Sequence, residues 1–119
     1  MEVDTMSTTS DHAVDPILAA IERHRLADDA FEAVMATDDE TAKGMMMDAE
    51  HRAFWGLVEV RPTTLRGIWA LCDHLAEYGT RDNQFAERRD YDGKRNWRFD
   101  VKLLENIRDA VERIVRGGV

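Results

Sequence analysis

One helical stretch, residues 15–35, constrains the fold more than any other part of the chain. Its apolar side chains recur at the spacing of a single helix face. The members of that face are Ile17, Ile21, Phe31 and Met35. His24 and Asp28 fall on the same line, in the middle of the face that should be buried. Because buried polar groups need hydrogen bonds, the rest of the chain must supply partners for an imidazole and a carboxylate.

Start and stop signals divide the chain into four helices. Asp15 can cap the first helix, Pro16 suits its first turn, and Pro62 ends the second helix. We predict helices over 16–36, 40–60, 64–78 and 100–116, with a long irregular connection before the last. Residues 1–14 have the composition of a disordered tail. The prediction is an all-α, up-down bundle of about four helices that occupies 15–119 as one domain.

Size and composition indicate a small acidic protein without a membrane span. The chain has 119 residues, 44% of them hydrophobic, and no apolar run of the ~20 residues that a span requires. Its N-terminal residues are acidic and polar rather than a secretory signal, so we expect a cytoplasmic protein. Residues 1–80 hold 16 acidic and 6 basic side chains, and residues 81–119 hold 8 and 10. This acidic balance disfavours nucleic-acid binding.

The hairpin geometry of the first three helices predicts a polar layer. If the first two helices are antiparallel with their turn near Asp38, Glu50 lies level with His24 and Asp28. Repeating the construction at Pro62 brings the single cysteine, Cys72, to that level. For the third helix, spacing predicts a buried side of Leu65, Ile68, Trp69, Leu71, Cys72, Leu75 and Ala76. It predicts a solvent side of Arg66, Ala70, Asp73, His74 and Glu77.

Three interpretations of this layer, formed by His24, Asp28, Glu50 and Cys72, stay open. A protonated His24 bridging the two carboxylates would be structural and would set the register of the helices. Imidazole, two carboxylates and a thiolate are also a possible zinc set, although their spacing matches no dedicated ligand signature. A histidine–carboxylate pair could act in acid–base catalysis, but no nucleophile or oxyanion element accompanies it.

The connection over 81–98 mixes basic and aromatic residues. Such a mixture occurs in platforms for single-stranded nucleic acid, but four acidic residues in the same segment would largely neutralise its arginines. The favoured interpretation is a loop that packs on the bundle and pairs with the protein's own acidic helices. Together with the second helix it provides a candidate contact surface of Trp55, Tyr91, Trp97, Arg88, Arg89 and Arg95.

Two motifs join capping signals to apolar spacing. They are an Asp-Pro helix start with His24-Arg25, and a later helix that starts Arg61-Pro62-Thr63-Thr64-Leu65-x-Gly67 and ends Leu75-Ala76-Glu77-Tyr78. Over residues 15–80 the chain resembles small uncharacterised helical proteins common in alphaproteobacteria. The resemblance implies a shared fold and origin, and it implies no activity.

The sequence therefore favours a non-enzymatic cytoplasmic protein that acts through protein–protein contacts or self-association. We predict no cofactor. A metal-binding or histidine–carboxylate enzyme is the alternative from another class, and a nucleic-acid accessory protein using the loop over 81–98 is the second alternative.

Overall fold

The computed structural model describes residues 15–82, 85, 88 and 98–117. In these ranges the chain forms four helices and no strand: α1 (Pro16–Met35), α2 (Glu40–Glu59), α3 (Leu65–Gly79) and α4 (Phe99–Gly117). Each helix begins and ends within one residue of its predicted range, and the predicted all-α fold is confirmed. The predicted tail over 1–14 and most of the connection over 80–98 lie outside the described residues.

Side-chain caps begin the first three helices where the sequence indicates. Asp15 and Asp39 each accept a hydrogen bond from a backbone N–H of the first turn, at 3.2 Å from Ile17 and 3.0 Å from Ala42. Thr64 does the same through Oγ1, at 2.9 Å from the N–H of Gly67. These bonds satisfy donors that the first turn of a helix leaves without a backbone partner.

Contacts along the helices establish their directions. α1 and α3 run the same way, because Asp15 contacts Thr64 at one end and His24 contacts His74 further along. α2 and α4 also run the same way. Phe99 packs on Trp55 near the start of the contact, Asn106 donates to the Val60 carbonyl at 3.0 Å, and Arg61 pairs with Asp109. Short loops at 36–39 and 60–64 join neighbours, as an up-down bundle requires.

Phe99 fastens α4 to the rest of the bundle. Its ring is fully buried and stacks on Phe54 of α2, with 4.0 Å between ring centroids. Trp55 and Phe85 approach the same ring edge-on, at 5.7 and 5.8 Å. Aromatic burial of this size contributes strongly to core stability, so the start of the last helix is anchored in the core.

Asp15 has a second role that its capping signal does not reveal. The side chain is fully buried, and it also accepts hydrogen bonds from the N–H groups of Thr63 and Thr64 and from the Thr64 hydroxyl, at 3.2, 3.1 and 2.5 Å. One carboxylate thus joins the start of α1 to the start of α3. Gly67 makes this approach possible, because a Cβ there would overlap the carboxylate and lie 2.9 Å from Ile17 Cγ2.

The inward face of α3 differs from the prediction. Gly67, Leu71, His74, Leu75 and Tyr78 are buried, whereas Leu65, Trp69, Cys72 and Ala76 are exposed. The helix is rotated by roughly a quarter turn from the orientation that hydrophobicity alone selects. The physical reason is that Gly67 must face Asp15, and that His74 and Tyr78 find polar partners inside the bundle.

The contact between Gly67 and Asp15 can be tested by adding a methyl group. Gly67→Ala should lower the free energy of unfolding by about 2–3 kcal/mol, because the added carbon displaces a buried, hydrogen-bonded carboxylate. Urea denaturation followed by circular dichroism measures this change. Gly56→Ala is the matched control: its Cβ would meet nothing within 4 Å, so it should stabilise the protein by about 0.5–1 kcal/mol. Equal effects of the two substitutions would contradict the assignment.

Candidate functional site

Glu50 is the centre of a buried polar network that also contains His24, His74, Tyr78 and Arg88. Its carboxylate is 3% exposed. Oε2 lies 2.8 Å from His24 Nε2 and accepts a hydrogen bond from the Tyr78 hydroxyl at 2.8 Å. Oε1 accepts from Arg88 Nη1 at 3.3 Å. Donors from α1, α3 and the segment after α3 therefore converge on one residue of α2.

The protonation of Glu50 follows from these donors. Burial raises the pKa of a carboxyl, but the hydrogen bond from His24, the charge of Arg88 and the hydrogen bond from Tyr78 together lower the pKa of Glu50 to about 2. Glu50 is therefore ionised at neutral pH. Since an ionised carboxylate only accepts, the hydrogen between Glu50 and His24 belongs to His24 Nε2.

His24 joins Glu50 to a second histidine. Its side chain is fully buried, and its Nδ1 lies 2.8 Å from Nε2 of His74. Burial first, and then the positive groups around it, lower the pKa of His74 to about 4, so this ring is neutral at pH 7. One hydrogen lies between the two rings, and the chain His74, His24, Glu50 forms a continuous hydrogen-bonded line from α3 through α1 to α2.

Arg88 closes the network from the segment that follows α3. Besides Glu50, its guanidinium donates to the Tyr78 hydroxyl at 2.8 Å and to Asp82 Oδ2 at 2.5 Å. Its Cζ lies 4.3 Å from the centroid of the Phe54 ring, which places the cation over an aromatic face. The backbone carbonyl of Arg88 accepts from the N–H of Phe99 at 2.9 Å. This residue therefore ties the connection to both the network and the start of α4.

Asp28 lies beside the network with a different partner. It is 5% exposed, and its Oδ2 lies 3.2 Å from Arg81 Nη1, a distance at which the charges attract although the geometry is not that of a hydrogen bond. Burial raises the pKa of Asp28, while Arg81 and His24 oppose that rise. Asp28 is therefore buried as the sequence indicates, and the positive charge beside it is that of Arg81, two residues after the end of α3.

Several predicted site residues need correction. Cys72 is exposed, so the prediction that its thiol belongs to the layer is wrong; His74 takes that level instead. Trp55 is 6% exposed and packs between Phe54 and Phe99, so it is part of the core rather than of a contact surface. Arg88 is likewise drawn inward by Glu50. The remaining predicted contact residues, Arg89, Tyr91, Arg95 and Trp97, lie outside the described residues.

Sequence reasoning missed His74 and Tyr78, although a signal for both was present. The two residues are four apart and share a helix line with Gly67 and Leu71. Gly67 marks the side of the helix that faces Asp15, whereas a Cβ at Gly44 or Gly56 of α2 would meet nothing within 4 Å. A prediction that placed Gly67 rather than Trp69 on the inward face of α3 would have placed His74 and Tyr78 inside the bundle.

The polar atoms of the network are hydrogen-bonded to one another. Both nitrogens of His24 and both oxygens of Glu50 have hydrogen-bond partners within the protein, and the two side chains are 0% and 3% exposed, so neither presents an atom to a substrate. Within the described ranges, no three His, Cys, Asp or Glu side chains are arranged to hold a metal ion. What the arrangement does chemically is compensate one buried negative charge with donors from three parts of the chain.

Two apolar stripes lie on the outside of the bundle. The α3 stripe consists of Leu65, Trp69, Cys72 and Ala76, with Leu65 64% and Trp69 68% exposed. The α4 stripe consists of Val101, Leu104, Val111 and Val115, with Leu104 67% and Val115 73% exposed. The α3 stripe follows the alternating four- and three-residue spacing of helix-pairing seams, whereas the α4 stripe has spacings of three, seven and four residues, with Arg108 in its gap. Exposed apolar rows of this kind are typical of surfaces that bind other proteins.

Comparison with known protein families, characterised proteins and solved structures gives no match for this chain. Among the helices built from described residues, none is long and apolar enough to cross a membrane.

Removing the central imidazole should cost stability. His24→Ala leaves a cavity and takes one donor from Glu50, so the free energy of unfolding should fall by about 2–4 kcal/mol. Arg23→Ala, on the exposed side of the same helix, is the control and should change it by less than about 0.5 kcal/mol. Urea denaturation of both variants measures the difference. If His24→Ala proved as harmless as the control, the network would not be stabilising.

Stability should also fall on acidification. The unfolded chain protonates His74 near pH 6.5, whereas the folded protein resists protonation until about pH 4. Below pH 6.5 the unfolded state therefore binds more protons, and stability is lost by on the order of 3 kcal/mol by pH 4. Glu50 adds a further loss between pH 4.5 and about 2, because its carboxylate protonates first in the unfolded chain.

His74→Gln isolates the histidine part of this pH dependence. Groups common to both proteins, including His51, whose pKa burial also lowers, cancel in the comparison. Urea midpoints measured from pH 7 to pH 4 should fall less steeply for His74→Gln than for the wild type. Parallel slopes for the two proteins would show that His74 is not the responsible group.

Proposed function

We propose that this protein is a small cytoplasmic interaction module that acts through protein–protein contacts and performs no catalysis. The observation that carries the proposal is the pair of exposed stripes on α3 and α4. Each stripe has a large side chain that is about two thirds exposed, Trp69 at 68% on α3 and Leu104 at 67% on α4. Large apolar side chains in rows on a folded surface are stabilised when another protein covers them.

The buried network supports a structural role for the polar layer. A general acid or base needs a polar edge within reach of a substrate. Here His24 is fully buried, and its two nitrogens are occupied by Glu50 and His74. The same occupancy weighs against the metal-binding alternative, because a ligand must direct a lone pair at the ion.

The arginines described in the connection favour a role inside the protein. Arg81 pairs with Asp28, Arg88 with Glu50 and Asp82, and Arg98 with Asp100. A nucleic-acid surface would instead present such charges to phosphates. The interaction hypothesis therefore accounts for more of the described residues than the nucleic-acid hypothesis does.

Site-specific photocrosslinking in cells that produce the protein tests this proposal. A photoreactive phenylalanine at position 69 or 104 should form protein adducts, because each position lies within a stripe. The same group at position 52 is the control, since Arg52 is exposed on α2 outside both stripes. Mass spectrometry identifies the adducts. Absence of adducts at 69 and 104, or an identical pattern at 52, would overturn the proposal.

A further inference from the structure

We propose that the partner of the α3 stripe is a second copy of this chain, paired antiparallel through α3. This inference rests on the proposed function and specifies the partner. The stripe runs from Leu65 to Ala76, which is roughly 17 Å of helix. Its successive spacings of four, three and four residues match a two-helix seam, in which each side chain packs between residues of the facing helix.

Side-chain size favours self-pairing in the antiparallel direction. The stripe begins with two large residues, Leu65 and Trp69, and ends with two small ones, Cys72 and Ala76. A two-fold axis between residues 70 and 71 sets Leu65 against Ala76 of the other copy and Trp69 against Cys72. Each large side chain then meets a small one, as close packing requires. A parallel pair would set the Trp69 rings against each other.

Charge favours the same arrangement. Arg66 and Asp73 are both exposed and border the same edge of the stripe. In an antiparallel pair, like edges of the two helices face each other. The two-fold axis then places Arg66 of each copy close to Asp73 of the other. The two positions differ by two residues, or about 3 Å along the helix axis. Opposite charges thus flank the apolar contact at both ends.

The α4 stripe lacks this complementarity. Arg108 interrupts it midway between Leu104 and Val111, with a side chain 67% exposed. Antiparallel self-pairing of α4 about its midpoint would set this arginine against its own copy, which costs electrostatic repulsion. The α3 stripe is therefore the surface at which a second copy fits.

Analytical ultracentrifugation of the full chain over a concentration series tests the pairing. The wild type should be a reversible dimer, and Trp69→Ala should weaken it by roughly 100-fold or more, because the substitution removes both central aromatic contacts. Leu26→Ala is the matched control, since Leu26 is 59% exposed on α1, and it should leave the dissociation constant unchanged. Circular dichroism confirms that each variant is folded.

A charge swap tests the direction of pairing. Arg66→Glu and Asp73→Arg should each weaken the dimer by roughly 10-fold, because each turns two attractions into two repulsions. The double variant R66E/D73R should regain wild-type affinity. Failure of the double variant to recover would overturn the antiparallel arrangement, and a dimer indifferent to Trp69→Ala would overturn the α3 interface.

The outcomes for the two proposals are distinct. A wild-type protein that stays monomeric at roughly millimolar concentration overturns the second-copy inference. If position 69 still crosslinks to a different protein in cells, the proposed function stands and only the identity of the partner is wrong. Adducts at position 69 that contain this chain alone support both.

Discussion

The buried negative charge of Glu50 is the constraint on which the rest of the structure depends. An uncompensated carboxylate inside a bundle would cost several kcal/mol, so donors must reach it from every side. His24 arrives from α1, Tyr78 from α3, and Arg88 from the segment that leads toward α4. Each of these donors sets the register of its own element against α2. The network thus specifies the register of the helices, which a uniformly apolar core would specify less strictly.

The same network determines which face of α3 is exposed to solvent. Turning His74 and Tyr78 inward to reach His24 and Glu50 obliges the opposite face of α3 to point outward. That face carries Leu65 and Trp69. His74 and Tyr78 thus lie inside beside Leu71 and Leu75, and a row of apolar side chains is left on the outward face. This orientation links an interior feature to the exposed α3 stripe, and it explains how a stable fold leaves a large aromatic residue exposed.

The sequence was most informative where a short-range signal decides the outcome. Asp15 and Pro16 begin the first helix, and the hairpin construction placed Glu50 level with His24, where the two side chains lie 2.8 Å apart. The sequence-based prediction of the buried face was wrong for α3, because hydrophobicity ranks Trp69 and Cys72 above His74 as core residues. That ranking includes the free-energy cost of burying a polar side chain, but it does not include the hydrogen-bond partner that offsets this cost.

Capping residues, prolines and apolar spacing were therefore enough to establish the four helices of the described ranges, their ends and the all-α class, because these features depend on neighbours a few residues apart. The rotation of α3, the inward turn of Arg88 and the burial of Trp55 were decided only in the assembled bundle. Each depends on a contact between residues far apart in the chain: His74 with His24, Arg88 with Glu50, and Trp55 with Phe99. The stretch over 15–35 showed that His24 needed partners, and the tertiary structure supplied them.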